Sequence, residues 1–191
     1  MKKEQQQRTE TVRLVVTKHK MNVKIVYGYE LKDEVRGLFT EYTDFLVSGD
    51  KEFKKYLEIQ KYDHEVENLE EKYGLPYGRL YVAFYENQIA GCIALRKLND
   101  TQCEMKRLYV KSQFRNKGIA KILVEKIVSD AKEIGYSEML LDTLPFLQIA
   151  IEMYKKIGFY EIESGLRRAF CKAHWTWRFG PRKENQPIVV G

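Results

Sequence analysis

The chain has 191 residues, of which 44% are hydrophobic and 31% charged, a balance typical of one soluble globular domain and not of a disordered chain. No apolar run approaches the roughly 20 residues of a membrane span, and residues 1–20 lack the apolar region of a secretory signal, so we expect a cytoplasmic protein with no membrane partner. The net charge of +6 lies in two tails, residues 1–20 with +4 and residues 165–191 with +5, and the acidic middle argues against a nucleic-acid partner.

The first third of the chain predicts one strand and two helices. Residues 1–20 have little to bury, so we expect a mobile basic N-terminal extension before a domain at residues 21–164. The weak alternation of Val23–Tyr27 predicts a strand. Apolar residues then recur at helical spacing over residues 35–46 and 59–73, and each stretch predicts an amphipathic helix.

The next part of the chain predicts a three-stranded meander, followed by helices and strands in alternation. The expected order is strand, strand, strand, helix, strand, helix and strand, over Arg79–Tyr85, 89–95, 104–110, 117–134, 139–142, Gln148–Ile157 and 159–162. The strand–helix–strand step within residues 104–142 implies one parallel pair. The predicted fold class is therefore α/β, with a mixed, mostly antiparallel sheet and helices on both faces.

The loop from Val110 to Gly118 is the most informative segment. A strand ends there, a polar loop follows, and a helix begins at a glycine. The first N–H groups of a helix lack intrahelical acceptors and lie at the positive end of its dipole, so a pyrophosphate fits there. Gly118 permits close approach, while Arg115 and Lys117 add positive charge. On these residues alone, a phosphate-binding loop and a solvated turn both remain open.

Other nucleotide and metal motifs are absent from the sequence. It contains neither GxxxxGK[ST] nor GxGxxG, so neither a P-loop nor a Rossmann dinucleotide site is indicated. Cys92, Cys103 and Cys171 are widely spaced and do not cluster with the histidines. We therefore expect free thiols and no metal site.

Three short motifs lie in register with the predicted elements. They are Gly91-Cys92-Ile93-Ala94-Leu95 in a strand, Arg115, Gly118 and Ala120 in the order RxxGxA, and Ala150, Tyr154 and Gly158-Phe159 around the last helix. Together they resemble the GNAT superfamily of N-acetyltransferases, whose acetyl-CoA signature is (Q/R)xxGx(G/A). The resemblance covers about residues 80–162. It implies the GNAT acyl-CoA acyltransferase fold and transfer of an acetyl group from acetyl-CoA, as cosubstrate, to an amine.

The resemblance also assigns residues to coenzyme binding. Backbone groups of the signature strand would pair with the pantetheine arm as an added strand does, and that strand would carry a bulge where its neighbour splays away. The residues implied are Leu108, Tyr109 and Val110 for pantetheine, Arg115, Asn116, Lys117, Gly118, Ile119 and Ala120 for the pyrophosphate, and Gln113 for a further backbone contact. Many GNAT enzymes have an Asn where this chain has Leu147. Thr143 is a candidate polar substitute or an ordinary loop residue.

Two side chains are assigned to the chemistry. An alkyl amine has a pKa of about 10, so a base must take its proton at neutral pH. The resemblance implies that Glu104 is this base, directly or through water; the alternative is a surface strand residue paired with Lys106 or Arg107. Tyr154 would donate a proton to the departing sulfur, or is a core tyrosine. A strand N–H, at Val110 or a neighbour, would polarise the acetyl carbonyl.

The acceptor is open, either a small-molecule amine or a protein amine. Residues 35–77 are expected to form part of its wall. Their acidic side chains would attract a cationic amine or lie on solvated helix faces: Asp44, Glu58, Asp63 and Glu65. The alternative function is a non-catalytic acyl-CoA-binding regulatory module of GNAT type, which would keep the signature without the chemistry. A homodimer is common in the family and is left open.

The C-terminal segment departs from the family pattern. Residues 165–191 are basic and contain both tryptophans of the chain, Trp175 and Trp177. Residues 170–179 have the alternation of a strand and are a candidate to complete the sheet. The alternative is a divergent end produced by an altered reading frame, for which mass spectrometry against resequenced DNA is the test.

Overall fold

A computed structural model of the protein describes residues 22–51, 54, 62–162 and 175–179, which form one seven-stranded mixed sheet. The strands are β1 (Val23–Tyr27), β2 (Arg79–Tyr85), β3 (Gln88–Lys97), β4 (Gln102–Val110), β5 (Glu138–Thr143), β6 (Tyr160–Ile162) and β7 (Trp175–Phe179). The helices in the described residues are α1 (Lys32–Gly49), α2 (Tyr62–Glu67), α3 (Leu69–Tyr73), α4 (Ile119–Ile134) and α5 (Gln148–Ile157). The predicted α/β class is confirmed.

The sheet has the order β1-β2-β3-β4-β5-β7-β6. Strands β1 to β4 are antiparallel neighbours, and β4 and β5 form the predicted parallel pair. The C-terminal strand β7 lies antiparallel between β5 and β6, so the tail does complete the sheet. The basic extension of residues 1–20 and the rest of the C-terminal segment lie outside the described residues.

Helices cover both faces of the sheet, as the sequence predicted. We call the side of α1 and α3 the front face; its core includes Val35, Leu38, Phe39, Leu80 and Val82. The side of α4 and α5 is the back face, with a core that includes Ile93, Leu123, Ile127, Leu141 and Ile151. Each fully buried side chain of this size contributes about 1.5–3 kcal/mol of transfer free energy, so both faces stabilise the sheet.

The single helix predicted over residues 59–73 is wrong, because the described part is broken between α2 and α3. Asn68 separates them with φ −120° and ψ 53°, outside the helical region. Its side-chain Nδ2 donates to the carbonyl of His64 at 3.1 Å, the carbonyl that its own backbone N–H also uses. This local side-chain bond is an alternative to helix continuation that apolar spacing does not reveal. Ile59 lies outside the described residues.

Candidate active site

The site begins where β4 and β5 separate. In the described part of the chain, their ladder joins residues 102–104 to residues 138–140 and goes no further. Beyond it β4 runs on to Val110, while β5 pairs with β7 on its other side. Lys111 N–H donates to Ala90 on the β3 side at 2.9 Å. Because backbone groups alternate in direction along a strand, Leu108 and Val110 turn theirs toward the gap. These are the edges predicted for pantetheine.

A bulge in β4 changes which side chains reach the front face. The β3–β4 register shifts between Cys92 and Ala94, and Arg107 adopts φ 58°. The Arg107 guanidinium lies 5.3 Å from the Phe39 ring of α1, on the same face as Lys106. Two consecutive residues therefore point to one side of the sheet, as a bulge allows. The predicted bulge in the signature strand is present.

The second half of α1 lies over the ends of β4 and β5. Tyr42 contacts Tyr109 with ring centroids 5.8 Å apart, and Phe45 contacts Phe146 at 6.2 Å. The Arg115 guanidinium stacks 4.7 Å from the same Phe45 ring. The helix therefore connects the loop after β4 with the loop after β5 and limits access to the gap from the front.

The loop before α4 presents a concentrated set of backbone donors. Gly118, the N-cap, has φ 74°, and Asn116 has φ 62°. The hydrogen bonds of the described residues leave the N–H groups of residues 116–121 without an acceptor. Successive N–H groups in such a left-handed turn form a nest for an anion. The Arg115 Nε donates to the Val110 carbonyl at 3.2 Å, which ties this nest to the end of the gap.

Two buried hydroxyl groups, those of Thr143 and Tyr154, lie on the back face of the sheet. Thr143 is 6% exposed, and its Oγ1 has no hydrogen-bond partner within the described structure. An unpaired buried hydroxyl is costly, so a ligand acceptor or donor would improve its environment. Tyr154 is also buried; burial raises the pKa of its phenol far above 10, with the charge of Tyr42 a smaller cause. Tyr154 therefore stays protonated and can donate.

Glu104 lies at the last paired position of the β4–β5 ladder. It is 7% exposed, so the alternative of a surface residue is wrong, although an ion pair with Lys106 is present at 3.8 Å. Its other partner is Arg96 of β3, whose Nε donates at 2.5 Å. Burial alone would raise the pKa of Glu104, but the charges of Lys106 and Arg96 outweigh it and hold the pKa below its ordinary value. Glu104 is therefore an ionised carboxylate at neutral pH.

Glu65 is already occupied by other side chains. It accepts hydrogen bonds from Arg107 Nε and the Tyr73 hydroxyl, both at 2.6 Å, and from Lys72. Burial would raise the pKa of Glu65, but the charges and hydrogen bonds of Arg107 and Lys72 lower it to about 2. The hypothesis that Glu65 attracts a cationic acceptor is therefore wrong. Asp44 is exposed on α1, and the side chains of Glu58 and Asp63 lie outside the description.

The remaining predicted residues lie in β4, in the loop that follows it and in the first turn of α4. Leu108 and Ala120 are partly buried against the back-face core, and Ile119 is buried at the first position of α4. Lys117 places its Nζ 4.9 Å from the Tyr85 ring, and Gln113 is exposed in the 3₁₀ turn Ser112–Phe114. The structure thus brings the open edge at Leu108 and Val110, the nest and Thr143 to one side of β4, while Tyr154 packs against Phe159 in the back-face core.

Comparison with known proteins gives the family. The family model described as "Acetyltransferase (GNAT) family" matches residues 43–159. The chain belongs to the GNAT acetyltransferases. An uncharacterised N-acetyltransferase of Dictyostelium discoideum is 33% identical to this GNAT acetyltransferase over 204 residues, covering 75% of this chain and 91% of the relative.

Solved structures agree with this GNAT acetyltransferase in fold. An acetyltransferase of Streptococcus agalactiae 2603 superposes with a TM-score of 0.66 at 18% identity, covering 82% of this chain and 97% of that one. The PaiA N-acetyltransferase of Thermoplasma acidophilum, solved in complex with coenzyme A, gives a TM-score of 0.62 at 18% identity, covering 84% and 100%.

In the described part of the chain, no helix is long and apolar enough to span a bilayer. The same residues hold no group of three His, Cys, Asp or Glu side chains arranged as metal ligands.

Sequence reasoning named Lys106 and Arg107 as possible partners of Glu104 but missed Arg96, and it missed the cations around Glu65. Arg96 lies directly opposite Glu104 in the β3–β4 register, one residue beyond the strand predicted over residues 89–95, so extending that strand by one residue and pairing it with the next would have found Arg96. Lys72 and Arg107 meet Glu65 from α3 and β4, and no sequence spacing signals that meeting. The bulge at Arg107 adds to the difficulty, because simple alternation would send its side chain to the back face.

Proposed function

We propose that this GNAT acetyltransferase transfers an acetyl group from acetyl-CoA to a primary amine, by direct attack of the amine in a ternary complex. The observation that carries the proposal is the open edge of β4, which continues through the Arg115–Val110 bond into the donor nest at Gly118. An extended amide-rich arm ending in a diphosphate matches such a strand edge followed by a nest. The complex of PaiA with coenzyme A supports this choice of ligand.

Each part of the coenzyme then has a place. The diphosphate lies on the N–H groups of residues 116–120, with the Arg115 side chain and Gln113 beside them. The pantetheine amides pair with Leu108 and Val110 on either side of Tyr109. The Thr143 hydroxyl, buried and without a partner in the described structure, gains one from the coenzyme.

The reaction forms an N–C bond and breaks the C–S bond of the thioester. The amine nitrogen attacks the carbonyl, whose oxygen is polarised by a strand N–H at Val110 or a neighbour. The proton of the amine passes to Glu104, directly or through water. The departing thiolate takes a proton from the Tyr154 hydroxyl, and the tyrosinate, which burial disfavours, regains a proton from the one that the amine gave to Glu104, directly or through water. A cytoplasmic location and the lack of a nucleic-acid partner stay predictions. Whether the chain forms a homodimer stays open.

Calorimetry with coenzyme A tests the binding half. Gly118 and Gly135 cap the two ends of α4, both at positive φ, 74° and 104°. Alanine at either position costs about 1 kcal/mol of backbone strain, and nothing lies within 4 Å of a Cβ at Gly135. We expect Gly118→Ala to weaken binding at least about tenfold and Gly135→Ala to leave it unchanged. No heat with the unsubstituted protein, or equal losses in both variants, would overturn the proposal.

An acceptor screen with detection of the released thiol tests the chemical half. We expect thiol release that requires both acetyl-CoA and an amine, with mass spectrometry identifying the N-acetylated product. Tight coenzyme binding with no transfer to any amine would instead favour the non-catalytic acyl-CoA-binding module.

A further inference from the structure

Aromatic rings hold cations at several places in the fold. Among the described residues, six Lys or Arg side chains lie over a ring, and four of these six also pair with a carboxylate. The four cations with both kinds of partner are Lys72, Lys97, Arg107 and Lys126. The other two belong to the loop that forms the nest. The Arg115 guanidinium lies 4.7 Å from the centre of the Phe45 ring, and the Lys117 Nζ lies 4.9 Å from that of Tyr85.

The two cations of the nest loop keep their charge. Within the described structure, neither Arg115 nor Lys117 has a carboxylate partner, and both side chains are exposed. The lysines on either side of them, Lys111 and Lys121, each pair with a glutamate, at 2.8 Å and 3.7 Å. A ring attracts a cation through its quadrupole and brings no net charge, whereas a carboxylate would neutralise the cation and compete with an incoming anion.

The rings are themselves fixed by packing. Phe45 contacts the edge of Phe146 with ring centroids 6.2 Å apart, and Tyr85 contacts Phe114, which is buried in the turn before the nest, at 5.9 Å. A cation over a fixed ring has less conformational freedom to lose when a ligand binds. The two cations are therefore restricted in position before any anion arrives.

The two rings reach the nest from different sides of the sheet. Phe45 belongs to α1 of the front face, whereas Tyr85 ends β2 and packs against the back-face core. Arg115 and Lys117 flank Asn116, whose φ of 62° forms part of the nest. An anion on the backbone N–H groups therefore has one ring-held cation on each side.

We propose that Phe45 and Tyr85 are positioning residues for the phosphates of acetyl-CoA. Each ring holds one cation beside the nest without neutralising it, Phe45 holding Arg115 and Tyr85 holding Lys117. The proposal rests on the proposed function and extends its coenzyme site to two side chains outside the nest loop. One of them, Phe45, lies on the helix that covers the front of the gap.

Calorimetry with coenzyme A tests the proposal. Phe45→Leu and Tyr85→Leu keep an apolar side chain but remove the ring, and each is expected to weaken binding roughly two- to fivefold, as one exposed cation–π contact allows. Phe45→Tyr and Tyr85→Phe keep the ring and should keep the affinity. In steady-state assays the KM for acetyl-CoA should rise in the two leucine variants by the same factor, with kcat at saturating acetyl-CoA little changed. Circular dichroism checks that each variant is folded.

Double substitutions show whether each ring acts through its cation. In an Arg115→Met background, Phe45→Leu should cause no further loss of coenzyme A affinity, and Tyr85→Leu should cause none in a Lys117→Met background. Tyr77→Leu is the matched control, because Tyr77 is also half exposed and lies 4.4 Å from the Nζ of Lys97, a lysine that pairs with a carboxylate. Its affinity for coenzyme A should equal that of the unsubstituted protein.

The coenzyme carries two kinds of phosphate, and 3′-dephospho-coenzyme A separates them. A loss that persists with this ligand assigns the ring-held cation to the diphosphate, and a loss that disappears assigns the cation to the 3′-phosphate. Unchanged coenzyme A affinity in Phe45→Leu or Tyr85→Leu, or an equal loss in the background that lacks the cation, would overturn the inference for that ring while the acetyltransferase function stands. No binding of coenzyme A by the unsubstituted protein would overturn the proposed function, and the inference with it.

Discussion

Replacing Glu65 with Gln tests the electrostatic account of the front face. Glu65 is 3% exposed and holds Arg107 and Lys72. Its carboxyl has an ordinary pKa of 4.5, which the fold lowers to about 2. A carboxyl whose pKa is lower in the folded state than in the unfolded state stabilises the folded state. This stabilisation is complete at a pH above the unfolded-state pKa and is lost as the pH falls through the folded-state pKa.

The size of the effect follows from the two pKa values. At about 1.4 kcal/mol per pKa unit, the difference between 4.5 and about 2 is worth about 3 kcal/mol at neutral pH. At pH 3 roughly two thirds of it is lost, so the Glu65 contribution falls by about 2 kcal/mol between pH 7 and pH 3. Glu65→Gln removes the titration and leaves both cations without their carboxylate, which costs about 3–5 kcal/mol at pH 7.

Urea unfolding at pH 7 and at pH 3 measures this difference. At pH 7 we expect the free energy of unfolding of Glu65→Gln to lie well below that of the unsubstituted protein. At pH 3 we expect this difference to be smaller by about 2 kcal/mol. Glu70→Gln is the control, because Glu70 is 63% exposed and pairs only loosely with Lys32 at 3.5 Å. A gap between Glu65→Gln and the unsubstituted protein that is independent of pH would refute the ion-pair account.

Three further substitutions test the site itself. Glu104→Gln is expected to lower kcat by about 10²–10⁴ while calorimetry shows unchanged coenzyme A affinity, because the amide cannot take a proton; an unchanged kcat would remove Glu104 from the chemistry. Tyr154→Phe is expected to lower kcat by about 10- to 100-fold with little change in KM. This loss is smaller than that expected for Glu104→Gln, because a thiolate leaves readily. A larger loss would point to misfolding, which circular dichroism checks. Thr143→Val removes the unpaired hydroxyl, so thermal stability should hold or rise while coenzyme A affinity falls several-fold; unchanged affinity would place the coenzyme elsewhere.

Local patterns in the sequence were enough to predict most of the fold. The meander from Arg79 to Val110 follows from alternation and short polar turns, and the hairpin turn at Glu86 and Asn87 uses positive φ at both residues, as a two-residue turn requires. The helix α4 follows from its apolar stripe and its two cap glycines. The break at Asn68 was not predictable in this way, since it depends on one side-chain bond to His64 and not on apolar spacing.

In the candidate site, too, some features are determined by local sequence and others by tertiary packing. The nest at Gly118 and the position of Tyr154 follow from contiguous motifs, whose local geometry the sequence determines. The ion pairs of Glu65 with Lys72 and Arg107 do not, because Lys72 and Glu65 come from short helices whose docking is set by tertiary packing. The sequence therefore left Glu65 either to attract a cationic acceptor or to lie on a solvated helix face, whereas in the structure Glu65 is buried and paired with Arg107.

The cations Arg96 and Lys106 would also help Glu104, the proposed base, to act with a low pKa. A free alkyl amine has a pKa of about 10, so proton transfer to a carboxyl with a pKa below 4.5 would be uphill by at least about 7 kcal/mol. Cations beside the bound amine lower its pKa, because they disfavour the ammonium form, and so reduce that difference. We therefore expect kcat, measured at saturating acceptor, to rise with pH around a midpoint below the pKa of the free acceptor amine. In Arg96→Gln the midpoint should move upward toward it, and a midpoint that stays fixed would show that these cations do not act on the amine.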